Sequence, residues 1–152
     1  MVVCLAVIDK ENSPLLLECA DSVTQSEDSS HANTLKLHYM VHSSLDIAEE
    51  KLNQPTGTTS GGRSTDMREL YLGMLYSNEQ FKTYGYATNT KIKFITVIEQ
   101  GNVSYKDQEM RAIFKRLHAV YCDAVSSPFY TPGKPLDYKP LLDTVRDILS
   151  RV

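Results

Sequence analysis

Gly57-Thr58-Thr59-Ser60-Gly61-Gly62-Arg63-Ser64 is one residue away from a phosphate-binding P-loop, with Arg63 where that pattern has lysine. Such a loop needs a strand leading in and a helix leading out, because the amides of the helix's first turn hold the phosphate. Here the surrounding pattern predicts a helix before and a strand after. The dipole then points the wrong way, and a surface loop is the expected reading. His38 and His42 stand at i, i+4, the spacing of two zinc ligands on one helix. The catalytic version requires Glu directly after the first histidine, where this chain has Tyr39, and no third ligand follows nearby. The pair is expected to flank a solvated helix face.

His118 and Cys122 repeat that four-residue spacing, without the third group that would orient a base toward a nucleophile. Both are expected on the outer side of their helix, with Arg111 and Lys115. A basic helical face can meet acidic lipid headgroups, but two cations and a histidine make a thin one. Cys4, Cys19 and Cys122 are odd in number, widely spaced and free of any C-x-x-C pair. That is neither a disulfide framework nor a zinc site, and it predicts buried, inert thiols in a reducing cytosol. Ser22, Thr24, Ser26, Ser29 and Ser30 beside Glu27 and Asp28 predict a solubilising loop that a kinase could modify.

These residues must be carried by elements, and the periodicities show which. Val2-Val3-Cys4-Leu5-Ala6-Val7-Ile8 is apolar at every position, as in a strand covered on both faces. Asp9 to Pro14 collects turn residues, and Leu15-Leu16-Leu17 returns as a second strand. Leu35 to Leu52 reads as a helix: Leu37, Val41, Leu45, Ala48 and Leu52 fall on one face, and Asn33 or Thr34 is the expected cap. Glu69 to Tyr76, Phe81 to Thr88 and Lys91 to Glu99 read as three strands with short connections, hence antiparallel neighbours. A helix is expected from Ser104, with Asp107 at the capping-box offset. Its apolar stripe runs from Met110 through Phe114, Leu117 and Tyr121 to Ala124, and Ser127-Pro128 stops it. Leu141, Leu142, Val145, Ile148 and Leu149 mark a final helix, with Pro140 in its first turn.

The expectation is therefore a single α+β domain over residues 1–152, of order β-β-α-β-β-β-α-α. Its five-stranded antiparallel sheet carries one helix on one face and two on the other. That order is longin-like, with flexible loops expected at 20–34 and 53–66. At 152 residues with 41% hydrophobic and 23% charged side chains, there is material for one core and none for a second domain. The longest apolar run, seven residues, falls short of the roughly 20 that a membrane helix needs. It also lacks the basic start and small-residue cleavage site of a signal peptide. A net charge of −3 argues against a nucleic-acid platform.

The first long helix offers something more specific. At 100° per residue its core stripe leaves Tyr39, Asp46 and Glu50 pointing outward, with Leu35 and Ile47 at the margins. Aromatic and aliphatic groups around a carboxylate suggest a partner surface.

His38-Tyr39-Met40-Val41-His42-Ser43-Ser44-Leu45-Asp46, Glu69-Leu70-Tyr71-Leu72-Gly73, Tyr84-Gly85-Tyr86-Ala87-Thr88-Asn89 and Ser127-Pro128-Phe129-Tyr130-Thr131-Pro132-Gly133 together resemble the sedlin-related family of trafficking protein particle (TRAPP) complex subunits. The likeness covers nearly the whole chain, opening with Val3-Cys4-Leu5-Ala6-Val7-Ile8. The family usually has asparagine where this chain has Ser127, and its loops at 20–34 and 53–66 are shorter. The resemblance implies a longin fold and a non-catalytic subunit, without cofactor or metal. The complex it implies is a tether that acts as exchange factor for Rab GTPases at the Golgi and early secretory pathway and supports autophagy-related traffic. Implied partners are other TRAPP subunits, both small longin and Bet-type chains and large scaffolds, and indirectly a Rab GTPase. The implied location is the cytoplasm, peripheral to those membranes. The family's Leu-Asp helix motif falls on Leu45-Asp46, which implies Asp46 as an interface position. Its loop motif falls on Pro128 to Gly133, which adds Pro128, Phe129 and Tyr130. The alternative is a free-standing longin regulator of membrane fusion, a SNARE head or adaptor small chain. A SNARE head is expected to lead into a long heptad coil, and this sequence runs to Val152 after one short amphipathic helix.

Overall fold

The strand apolar at every position is buried at every position. In the computed structural model, which describes residues 1–20, 27–53, 71–101 and 105–150, β1 (Val2–Ile8) has no exposed side chain. It lies between β2 (Pro14–Cys19) and β5 (Lys93–Glu99), antiparallel to both. β4 (Phe81–Ala87) and β3 (Tyr71–Ser77) complete one five-stranded antiparallel sheet of order β2-β1-β5-β4-β3. Helix α1 (Glu27–Asn53) stands between β2 and β3 in sequence, joining opposite edges of the sheet. Helices α2 (Asp107–Val125) and α3 (Lys139–Ser150) follow β5.

The two faces of the sheet carry separate cores. On one, Val3, Ala6, Ile8, Ile95 and Val97 meet Leu37, Val41, Leu45 and Ala48 of α1. On the other, Leu5, Val7, Phe94 and Ile98 meet Met110, Phe114, Leu117 and Tyr121 of α2 and Leu141, Val145 and Ile148 of α3. An exposed Arg116–Asp147 ion pair at 2.7 Å joins α2 to α3. The element order and the division of one helix against two are those the periodicities predict.

Two boundaries differ from expectation. Helix α1 begins at Glu27, so residues 27–34 of the expected 20–34 loop are helical, and Asn33 and Thr34 lie inside the helix instead of capping it. A helix of 27 residues is about 40 Å long, and a seven-residue strand about 23 Å. Residues 31–33 are exposed and Thr34 half-buried, so these turns carry no apolar stripe and leave no periodic signal. Ala20, at the other end of that expected loop, is buried and donates its N–H to Val3 O at 2.9 Å. Residues 21–26 and 54–66, with the P-loop-like run, lie outside the described residues. The second difference is at α2, which starts at Asp107 and not at the expected Ser104. There the Glu109 carboxylate, not Asp107, accepts from the Lys106 N–H at 3.1 Å.

A buried cation ties three elements together. Lys93 is only 2% exposed, and its Nζ donates to Asn12 Oδ1 at 2.7 Å and lies 3.4 Å from Glu49 Oε1. Asn12 holds φ at 62° in the β1–β2 turn, a conformation that asparagine tolerates better than most residues. Its Nδ2 also donates to Glu49 Oε1 at 2.7 Å. Asn12, then Lys93, hold the Glu49 carboxyl below the usual carboxylate range. The hairpin turn, the start of the central strand and the last turns of α1 are thus joined at one point.

Gly85 of β4 has a different constraint, because Leu75 of β3 lies over it. A Cβ at Gly85 would come within 2.5 Å of Leu75 Cδ1 and 3.1 Å of its Cγ. Gly85→Ala is therefore expected to destabilise the fold by about 1–3 kcal/mol through overpacking, measured by denaturant titration. A change within about 0.5 kcal/mol would show that Leu75 moves aside freely.

Candidate functional site

The inward stripe of α1 fixes what its opposite side presents. With Leu37, Val41, Leu45 and Ala48 in the core, an arc about 80° wide holds Leu35, Tyr39, His42, Asp46 and Glu50. All five are exposed. Leu35 is 70% and Tyr39 72% exposed, high for large apolar side chains. Along the axis the arc is about 22 Å long. Among the described residues, Asp46 makes no hydrogen bond or ion pair. Ile47, expected at the margin of this surface, is half-buried and packs against the α1-side core. About 80° separate it from Tyr39, enough to turn it toward the sheet. His42 was absent from the expected surface, although its angular position alone would have placed it there.

The rotation of α1 is held at Lys36 and again at Lys51 in its last turn. Lys36 donates to Gln80 Oε1 and sits 5.4 Å from the centre of the Phe81 ring. Lys51 donates to the main-chain carbonyls of Leu72 at 3.0 Å and Met74 at 2.9 Å. Its ammonium thereby covers part of edge strand β3, a protection that exposed edges need.

The second candidate surface is the turn after α2. Ser126 N–H donates to Cys122 O at 3.1 Å and Tyr130 N–H to Ser127 O at 3.1 Å, so the chain folds back sharply. Pro128 is exposed, and Phe129 is 92% exposed at the tip. Tyr130, the third residue of that loop implied for binding, is half-buried against the α2-side core. Gly133, at φ +79°, turns the chain in a region that favours glycine. Leu136 N–H then donates to Leu15 O at 2.9 Å, anchoring the segment to β2. The two candidate surfaces lie on elements packed against opposite faces of the sheet.

A cleft of about 650 Å³ opens beside Tyr130, lined among others by Asp9, Thr88, Asn89, His118, Tyr121 and Cys122. These residues come from three separate stretches of chain, which no local pattern could join. Burial, aided by Tyr130, pushes the Tyr121 hydroxyl up to about 12. His118 is not on the outer side of α2 as expected. It is half-buried, its ring packs against Tyr86 and Phe94, and its Nδ1 lies 3.0 Å from the Tyr86 hydroxyl. Arg111 likewise lies back over the Tyr71 ring at 4.6 Å. The basic face predicted for α2 therefore loses two of its three members to contacts within the chain. Cys122 is exposed and Cys19 half-buried, so only Cys4 matches the predicted buried thiols. Among the described residues, no three His, Cys, Asp or Glu side chains converge as metal ligands would. No described helix is long and apolar enough to cross a membrane.

The model of a family described as Sedlin matches residues 7–151. The chain is 43% identical over 149 residues to a trafficking protein particle complex subunit 2-like protein of Xenopus tropicalis, covering 98% of this chain and 97% of that relative. It is 41% identical over 152 residues to the protein so named in Rattus norvegicus, covering 100% and 99%. Over 148 residues it is 38% identical to that of Dictyostelium discoideum, covering 97% and 96%.

Burial holds the His118 imidazole below its ordinary value of 6.5. The folded chain disfavours the imidazolium, whereas the unfolded chain takes up the proton at about 6.5. The unfolded state then binds more protons, so this contribution to stability is complete above that pH and declines as pH falls through it. His118→Gln, which cannot titrate, is expected to show a shallower loss of stability between about pH 7 and about pH 5. Denaturant midpoints across that range measure it, and equal slopes in both proteins would place the acid sensitivity elsewhere.

Proposed function

The chain belongs to the sedlin family, and on that footing we propose that it is a non-catalytic assembly subunit of the TRAPP tethering complex. In that role it supports guanine-nucleotide exchange on a Rab GTPase during ER-to-Golgi and intra-Golgi vesicle transport. It works in the cytoplasm, peripheral to those membranes, through contacts with other subunits. The names of the relatives at about 40% identity over the full length support this reading. The structural observation that carries it is the outward arc of α1. Leu35 and Tyr39 are left in solvent beside a carboxylate, Asp46, that nothing else among the described residues engages. Large exposed apolar groups around one charge suit a partner that brings an apolar surface and a cation. Phe129 supplies a second apolar anchor at the tip of a turn whose backbone is hydrogen-bonded on either side.

Asp46→Tyr tests the first surface. An exposed residue without an intrachain partner costs the isolated fold little, within about 0.5 kcal/mol. Leaving a partner's cation buried and unpaired costs about 2–5 kcal/mol of binding. The variant is expected to co-purify poorly with TRAPP subunits while its melting temperature stays unchanged. Asp123→Tyr, on the exposed side of α2, serves as control. Equal recovery of the two variants would remove Asp46 from the interface, and a fallen melting temperature would make it a support of the fold.

Phe129→Ala tests the second surface independently. The side chain is almost wholly in solvent, so the fold should again change by no more than about 0.5 kcal/mol. Recovery of the complex is expected to drop. Unchanged recovery would leave α1 as the sole proposed docking element.

A further inference from the structure

Two free thiols face each other across the β1–β2 hairpin. Cys4 and Cys19 are register partners, with their sulfurs 3.4 Å apart. Ala20 N–H donates to Val3 O, which makes the neighbouring Cys4–Cys19 pair the non-hydrogen-bonded kind, with Cα atoms about 4.5 Å apart. That separation lies at the short end of the span a disulfide bridges, and the sulfurs have only to close from 3.4 Å to about 2.05 Å. Side-chain rotation covers that distance without moving either strand. The two sites are unequal. Cys4 is buried beneath α1, while Cys19 is half-buried at the end of edge strand β2, within reach of solutes. Their shared hydrogen bond holds the Cys19 thiol below its ordinary value and pushes that of Cys4 up, so Cys19 is the attacking member. Cys122 belongs to α2, on the other side of the sheet, and does not compete for either sulfur.

We propose that Cys4 and Cys19 are a reversible dithiol–disulfide pair, a modification site oxidised by small disulfides of the glutathione type. The Cys19 thiolate attacks one sulfur of the oxidised dimer, forming a mixed disulfide and expelling one glutathione thiolate, which takes up the proton Cys19 lost. The Cys4 sulfur then attacks the Cys19 sulfur, breaking the mixed disulfide. The second glutathione leaves with the Cys4 proton. Two protein thiols are oxidised to one disulfide, and one glutathione disulfide is reduced to two thiols. The product pins edge strand β2 to β1 just ahead of the connection to α1. This inference stands apart from the assembly role and does not depend on it.

The test incubates the intact chain with glutathione disulfide, blocks remaining thiols with iodoacetamide under denaturing conditions, and maps the peptides by mass spectrometry. The expected product carries neither glutathione nor alkyl group on Cys4 or Cys19 and yields one peptide pair linked through them, two hydrogens lighter than the two thiol peptides together, which dithiothreitol separates. Cys122→Ser is expected to give the same linked pair at the same rate. In Cys4→Ala the reaction is expected to stop with one glutathione on Cys19. Alkylation of Cys4 and Cys19 to the same extent as in untreated protein would overturn the proposal. So would a wild-type product that retains glutathione on Cys19.

Discussion

β1 and β5 are apolar on both sides, so neither face of the sheet can be left to water. That constraint organises the rest of the molecule. A single chain satisfies it by laying α1 over one face on its way from edge strand β2 to edge strand β3, and by returning α2 and α3 over the other. Every helix spends its inner stripe on this covering. What remains for recognition is the outside of each helix, the turns and the strand edges.

Covering a face does not by itself fix how a helix is rotated upon it. Here the rotation of α1 is set at three points along its length. Lys36 meets Gln80, the Asn12–Lys93–Glu49 junction grips the later turns, and Lys51 reaches the carbonyls of Leu72 and Met74. An ammonium as buried as that of Lys93 is costly unless it is paired and hydrogen-bonded, and a lost partner would leave it uncompensated. The junction therefore resists a turn of the helix that would separate Glu49 from it. By the same geometry, Leu35, Tyr39 and Asp46 are kept outward as one arc.

The turn after α2 uses a comparable logic with different parts. Tyr130 and Leu136 are drawn into the α2-side core, and the Leu136 amide is bonded to β2. Between them and the end of α2, Phe129 is left almost wholly in solvent. Anchors on either side restrict the backbone that carries this ring, so less backbone freedom is lost when a partner covers it. The two surfaces thus arise from one principle: the core claims some residues of each element, and the remainder is presented with little slack.

The sequence by itself determined the order of elements, the division of one helix against two, and the core stripes of all three helices. Each rests on periodicity, which is local: a strand buried on both faces is apolar throughout, and a helix buried on one side repeats at 3.6. It also placed Tyr39, Asp46 and Glu50 outward, because angular position on a helix is arithmetic once the buried stripe is known. Only the tertiary structure decided the start of α1, whose turns before Leu35 bury no apolar stripe and so carry no periodic signal. It likewise decided the inward places of His118, Ile47 and Tyr130, since whether a marginal residue is covered depends on what rises from the sheet beside it, here Tyr86 and Phe94 in the case of His118. The burial of Lys93 and the meeting of Cys4 with Cys19 were illegible for the same reason. Lys93 meets residues 81 and 44 positions away, and the cysteine contact depends on the register of the hairpin, so both follow from register and packing and not from any local pattern.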